Sequence, residues 1–201
     1  MPKDIYHSLI FEKKSSIEMQ PVLRVKSVSN KINTPKSPFG GFRGPRPWNR
    51  VNLPVYSVSS QADGKANMHI ITYATAISMQ PKRFICGIYK GTQTLENVEA
   101  TSEFILQLLD EKQYRLIDLL GKKSGKQIDK ITRLEKRNEL AAWNGYPILK
   151  NCLAVMQMKV VISIEGGDHQ CFLCDVIAYK NLNEGKALTL DILREHKMIR
   201  I

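Results

Sequence analysis

The stretch Thr72-Tyr73-Ala74-Thr75-Ala76-Ile77-Ser78 sets hydroxyls and small side chains inside an otherwise apolar run. In an extended chain, side chains alternate with period two. Thr72, Ala74, Ala76 and Ser78 then share one face, and Tyr73, Thr75 and Ile77 share the other. The first face carries no large side chain, where a core face would be filled with Val, Ile, Leu or Phe. Such a strip lets something flat come close to the backbone. That is either a neighbouring strand or helix, or a planar ligand.

Other chemistry is sparse. Cys171 and Cys174 form C-F-L-C, but a structural zinc needs four ligands and there is no second CxxC. The surrounding QCFLCDVIAY reads as a strand, in which residues three apart point to opposite faces. Cys86, Cys152, Cys171 and Cys174 are therefore expected as reduced thiols in a cytoplasmic protein. The sequence shows neither a Ser-His-Asp pattern nor a pair of catalytic carboxylates.

The elements that must position these residues are mostly strands. NLPVYSVSS runs into the hairpin signal Asp63-Gly64, then ANMHIITYATAIS, a Pro-containing turn at MQPK, and RFICGIY. KGTQTLENVEATS reads as a short helix with Thr94 as candidate N-cap, and EFILQLLD as a strand. KQYRLIDLLGK has helical spacing with Gly121 at its stop. Residues 122–147 look charged and irregular, with a helix expected near DKITRLEKR. Ala154, Met156, Met158, Val160, Ile162 and Ile164 alternate cleanly, placing them on one face of a long strand. The tight connection GGDH leads to its partner strand. Long strands joined by tight turns, with few helices, predict a mainly β (α+β) fold closed as an antiparallel barrel.

The 201 residues carry a net charge of +11, and ten basic residues against three acidic ones fall in residues 1–50. The basic excess therefore belongs mainly to an N-terminal extension, residues 1–47, ahead of a compact domain at 48–201. Within the extension, 35–47 is rich in Pro and Gly and reads as a lead-in. Residues 1–34 read as a strand or two docked on a partner subunit, or as a partly ordered arm. A basic arm suits nucleic acid or an anionic partner, but no nucleic-acid-binding motif accompanies it, so a solvated tail is the preferred reading. No stretch approaches the ~20 apolar residues of a membrane span. MPKDIYHSLIFEKK has no long apolar core, so no secretory signal is expected.

Several motifs in order point further. Asn67-Met-His-Ile-Ile-Thr-Tyr-Ala-Thr-Ala-Ile-Ser-Met-Gln-Pro81 is followed by a strand, then Y89-K-G-T-Q-T-L-E-N-V-E-A-T-S-E-F104 and Q107-L-L-D. With G145-Y-P147 and G-D-H169, this series resembles the flavin reductase-like family over about residues 50–180. The resemblance implies an FMN-binding split β-barrel, Greek-key-like with a few short helices, working as a homodimer with the flavin site at the interface. It implies hydride transfer from NADH or NADPH to bound FMN. Thr72, Tyr73, Ala74, Thr75, Ala76, Ile77 and Ser78 would lie beside the flavin, and Lys90, Thr92 and Thr94 would meet its phosphate. Asn97 would support that turn. His169 would approach the flavin or nicotinamide, or would be a plain turn residue. Tyr73 and Tyr89 could flank the ring, and Arg83 could reach phosphate. Two rivals stay open: an FMN protein without NAD(P)H reductase activity, and a basic nucleic-acid-binding barrel.

Overall fold

In the computed structural model, residues 46–199 are described, together with the backbone of 23–25. Expectations for the rest of the basic extension fall outside the described residues. In chain order the strands are β1 (Leu23–Val25), β2 (Tyr56–Ala62), β3 (Lys65–Ile71), β4 (Ala74–Ser78), β5 (Arg83–Tyr89), β6 (Glu103–Leu108), β7 (Leu140–Trp143), β8 (Tyr146–Leu149), β9 (Ala154–Gly166) and β10 (His169–Asn181). The helices are α1 (Gln93–Thr101), α2 (Ile117–Leu120), α3 (Lys130–Lys136) and α4 (Leu190–Glu195). No helix among the described residues is long and apolar enough to cross a membrane.

The main sheet runs β3-β2-β6-β9-β10-β5-β4 through antiparallel pairs, with β1 added parallel to β9. β3 and β4 lie at opposite edges of this order, yet only Thr72 and Tyr73 separate them in sequence. Two residues span roughly 7 Å. The sheet must therefore curl until its edges meet, and no ladder joins β3 to β4 at the seam. The result is a split barrel. The expected single strand through TYATAIS is thus two strands bent at a corner.

One core fills the barrel. Phe84, Cys86, Ile88, Phe104, Met158, Phe172 and Cys174 meet there, with Leu95 and Val98 of α1 packed among them. A second core lies outside the wall, where Met68 and Ile105 face Leu120, Leu134, Leu149, Leu188 and Leu193. Alternation explains the two layers, since Met68 and Ile71 of β3 point to opposite sides. The hairpin β7–β8, turning at Asn144 (φ 46°) and Gly145 (φ 80°), belongs to this outer layer and was hidden in the charged stretch 122–147. Asn-Gly is the sequence signal for such a turn. KQYRLIDLLGK forms a 3-10 turn before α2, with Gly121 at the stop as expected.

The single-face alternation expected along β9 does not hold. Leu173 pairs with Ile162 and Cys174 with Val160, so Val161 is an extra residue. This bulge flips the phase. Met158 and Val160 face the barrel, whereas Ser163 takes the inward place opposite Phe172, and Ile162 and Ile164 turn outward. Because Val161 is itself apolar, the pattern in the sequence shows no break. On β10, Cys174 is buried inside and Cys171 lies half-buried opposite Gly87, so the two thiols of C-F-L-C face apart; all four cysteines are free.

The Lys130 side chain, at the start of α3, is 2% exposed. Its Nζ donates to Met68 O (3.1 Å) and Leu120 O (2.9 Å), tying α2 and α3 to β3. Burial pushes its ammonium down to about 8. The unfolded chain then binds more protons between pH 8 and 10.5, so the cost of the buried charge is full below pH 8 and fades above it. Chemical denaturation of wild type and Lys130→Met is expected to show wild type gaining stability relative to the variant from pH 8 to pH 10. A difference that stays flat with pH would contradict the buried charge.

Candidate functional site

The Thr72–Tyr73 corner sits where the barrel is split, and two hollows open on either side of it. One, of about 410 Å³, is lined by Thr72 to Thr75, Leu53, Ile85, Gly87 and Cys171. The other, of about 420 Å³, lies between His69–Ile71 of β3, Tyr89 of β5, and Ile117, Leu190 and Leu193 of the outer layer. Thr72, Tyr73, Gly87 and His169 belong to both walls.

Three rings divide the hollows. His169 packs edge-on against Tyr73 (centroids 5.1 Å, 75°) and against Tyr89 (5.1 Å, 76°). Register explains half of this, because His169 opens β10 directly opposite Tyr89 at the end of β5. Gly87 explains the rest. Its N–H donates to Tyr73 O at 2.7 Å, and a Cβ built on it would come within 3.2 Å of the Tyr73 Cβ. A glycine inside a strand signals such a close approach. His169 Nδ1 lies 2.7 Å from Asp168 Oδ1. That hydrogen bond holds the Asp168 carboxyl below its ordinary value, so the carboxylate is charged and orients the ring.

The corner itself differs from a uniform small-residue face. Ala74 points inward and packs in the barrel core opposite Cys86, while Thr75 faces outward opposite Ile85. Thr75, Ala76 and Ile77 are exposed, because β4 pairs with β5 on one side and with no strand on the other among the described residues. A register shift at Ile77 turns Ser78 outward opposite Arg83. An edge strand of this kind presents unpaired N–H and C=O groups along its free side.

The expected phosphate group is only partly assembled. Thr92, not Thr94, caps α1: its hydroxyl accepts from Leu95 N and donates to Tyr89 O. Thr94 is 0% exposed and accepts from Asn67 Nδ2 at 2.8 Å, which gives it a bracing place between α1 and β3 with no open side. Asn97 is also buried and bonds Ser60 Oγ and Lys65 O, in keeping with support rather than contact. Lys90 sits before the helix, with its ammonium on Glu165. Arg83 is bound to Asp175 at 2.7 Å. Sequence reading missed His69, Gly87 and Glu165. Gly87 carried a signal, as a lone glycine in RFICGIY. His69 and Glu165 carried none, since their neighbours come from distant strands.

Comparison with known proteins agrees with this fold. A family model described as the flavin reductase like domain matches residues 48–196. An FMN reductase (NADH), RutF 2, of Rhizobium rhizogenes is 23% identical over 151 residues, covering 73% of this chain and 83% of that protein. A Nostoc protein provisionally named diflavin flavoprotein A 2 is 24% identical over 128 residues, 63% of this chain but 22% of its own length. The chain thus spans about a fifth of that larger relative. Among solved structures, an FMN-binding protein from Thermus thermophilus superposes with a TM-score of 0.61 at 20% identity, covering 75% of this chain and 80% of that one. With the match extending over most of its length, the chain belongs to the flavin reductase-like family.

Proposed function

We propose that the chain binds FMN at the split of the barrel and acts as a flavin reductase, with NADH or NADPH as electron donor. The observation that carries this is the edge of β4, unpaired among the described residues, above an apolar hollow beside the corner Thr72–Tyr73. A flavin has a hydrogen-bonding edge and a flat apolar body, and the chain offers a matching pair of surfaces. Thr72, Tyr73, Ala74, Thr75, Ala76, Ile77 and Ser78 would supply the backbone edge and its flanks. Lys90 and the capped N-terminus of α1 would meet the phosphate, with Glu165 competing for the same ammonium. Thr92 and Thr94 would hold that turn.

When bound, FMN supplies a two-electron centre able to take hydride from a reduced nicotinamide. The protein's part is to hold the two rings together and keep water out. Tyr73 and Tyr89 would wall the site, and His169, oriented by Asp168, would present its remaining nitrogen as a hydrogen-bonding group. A cytoplasmic homodimer fits this reading. Its support is the exposure of Ile77, Met79, Ile177 and Tyr179 around β4 and the end of β10, a patch that a second copy could cover.

The direct test is a visible spectrum of the purified protein after FMN is added and free flavin removed. Retained flavin bands that bleach anaerobically with NADH or NADPH are expected. Retained bands that never bleach would make it an FMN protein with another donor, and no retained flavin would overturn the assignment. Gly87→Ala should force Tyr73 away from β5 and weaken FMN binding about tenfold, read by flavin fluorescence, if the corner must hold its position. His169→Ala should slow flavin reduction in stopped flow more than it weakens FMN binding. An unchanged reduction rate would leave His169 a packing residue.

A further inference from the structure

His69 lines the hollow between β3 and the three-ring cluster, and the flavin reading above gives it no role. By alternation it shares the barrel-facing side of Ile71, opposite Val58. Its Nδ1 is buried and has no hydrogen-bond partner among the described residues. A buried polar atom without a partner costs about 1–3 kcal/mol, so its persistence calls for a reason. The ring also differs from His169 across the same hollow, which holds a carboxylate. Burial first, and then the charge of Lys130 behind β3, push the His69 imidazole down to about 4. It is therefore a neutral ring, offering one donor and one acceptor.

We propose that His69 contacts ligand directly, its imidazole hydrogen-bonding an amide or imide group on a planar ring seated in the hollow between β3 and Tyr73, His169 and Tyr89. The hollow suits such a ring. It measures about 420 Å³ and is walled by Ile71, Tyr89, Ile117 and Leu193, with His69 at one side. A neutral imidazole meets such a group with one ring nitrogen, as donor or as acceptor according to its tautomer. Lys122, the one lysine on this wall, is paired with Asp118, and both side chains are exposed. Amide or imide chemistry has two sources here, the carboxamide of a reduced nicotinamide and the pyrimidine edge of a flavin. The choice of these two candidates rests on the flavin reductase reading; the vacant hydrogen-bonding capacity of His69 does not.

The test uses the full chain, with His69→Ala and His69→Gln beside wild type. FMN affinity is read by fluorescence titration, and the apparent affinity for NADH and NADPH by the concentration dependence of flavin reduction. His69→Ala is expected to weaken one of the two by about tenfold. His69→Gln, which keeps a donor and an acceptor, should recover part of that loss. Loss in the FMN arm assigns the flavin edge, and loss in the nicotinamide arm assigns the carboxamide. Both affinities unchanged in a folded His69→Ala protein would overturn the proposal. A second measurement avoids any folding defect: the ¹⁵N resonances of the wild-type His69 ring, followed as FMN and then NAD⁺ are added. A shift of Nδ1 or Nε2 with either supports contact, and none with both overturns it. If wild type retains no flavin, the reductase reading fails on its own, and the resonance titration with NAD⁺ alone still decides for His69.

Discussion

Two residues between β3 and β4 govern this molecule. They connect the opposite edges of the main sheet, and a chain that short leaves the sheet no choice but to curl. Because the corner is bent, the strands on either side cannot pair with each other, and the barrel stays split. The same constraint leaves the backbone of β4 without a strand partner along one side among the described residues, and opens a hollow on each side of the corner. Closure of the fold and exposure of a hydrogen-bonding edge are consequences of one short link.

The neighbours of the corner are arranged to keep it in place. Gly87 brings β5 within touching distance of Tyr73, and the Gly87–Tyr73 hydrogen bond fixes the approach. His169, at the start of β10, wedges between Tyr73 and Tyr89. Behind β3, Lys130 binds the carbonyl of Met68, while Asn67 is held by Thr94 of α1. β3 is therefore braced from the outer layer and from the helix that plugs the barrel. Ion pairs on the rim, Lys90 with Glu165 and Arg83 with Asp175, are more than a third exposed or close to it, so they add little stability and remain open to exchange with a ligand.

Much of the fold was readable from local chemistry. Asp63-Gly64 marks the β2–β3 hairpin, Gly121 ends α2, and the apolar runs of β6 and β10 and the alternation in β9 announce strands. The hairpin at Asn144-Gly145 was equally marked but lay in a stretch whose charges suggested a loop. Reading failed where a local pattern has two tertiary outcomes. Thr92 and Thr94 are both plausible caps in sequence, and only the start of the helix decides that one is a cap and the other a buried brace. The bulge at Val161 is invisible because an apolar residue can face either layer, and both layers here are apolar.

By itself the sequence determined that this is a mainly β protein, that 72–78 is chemically unusual, and that its ordered motifs are those of the flavin reductase-like family. The first two follow from periodicity, turn residues and residue type, which act over a few positions along the chain; the third rests on resemblance to known sequences. Only the tertiary structure decided that TYATAIS is a corner, that Lys90 meets Glu165, and that His69 and His169 face one hollow. Residues 69 and 169 come together through strand order, and strand order is set by which edges can pair and which faces can be buried, a property of the whole sheet.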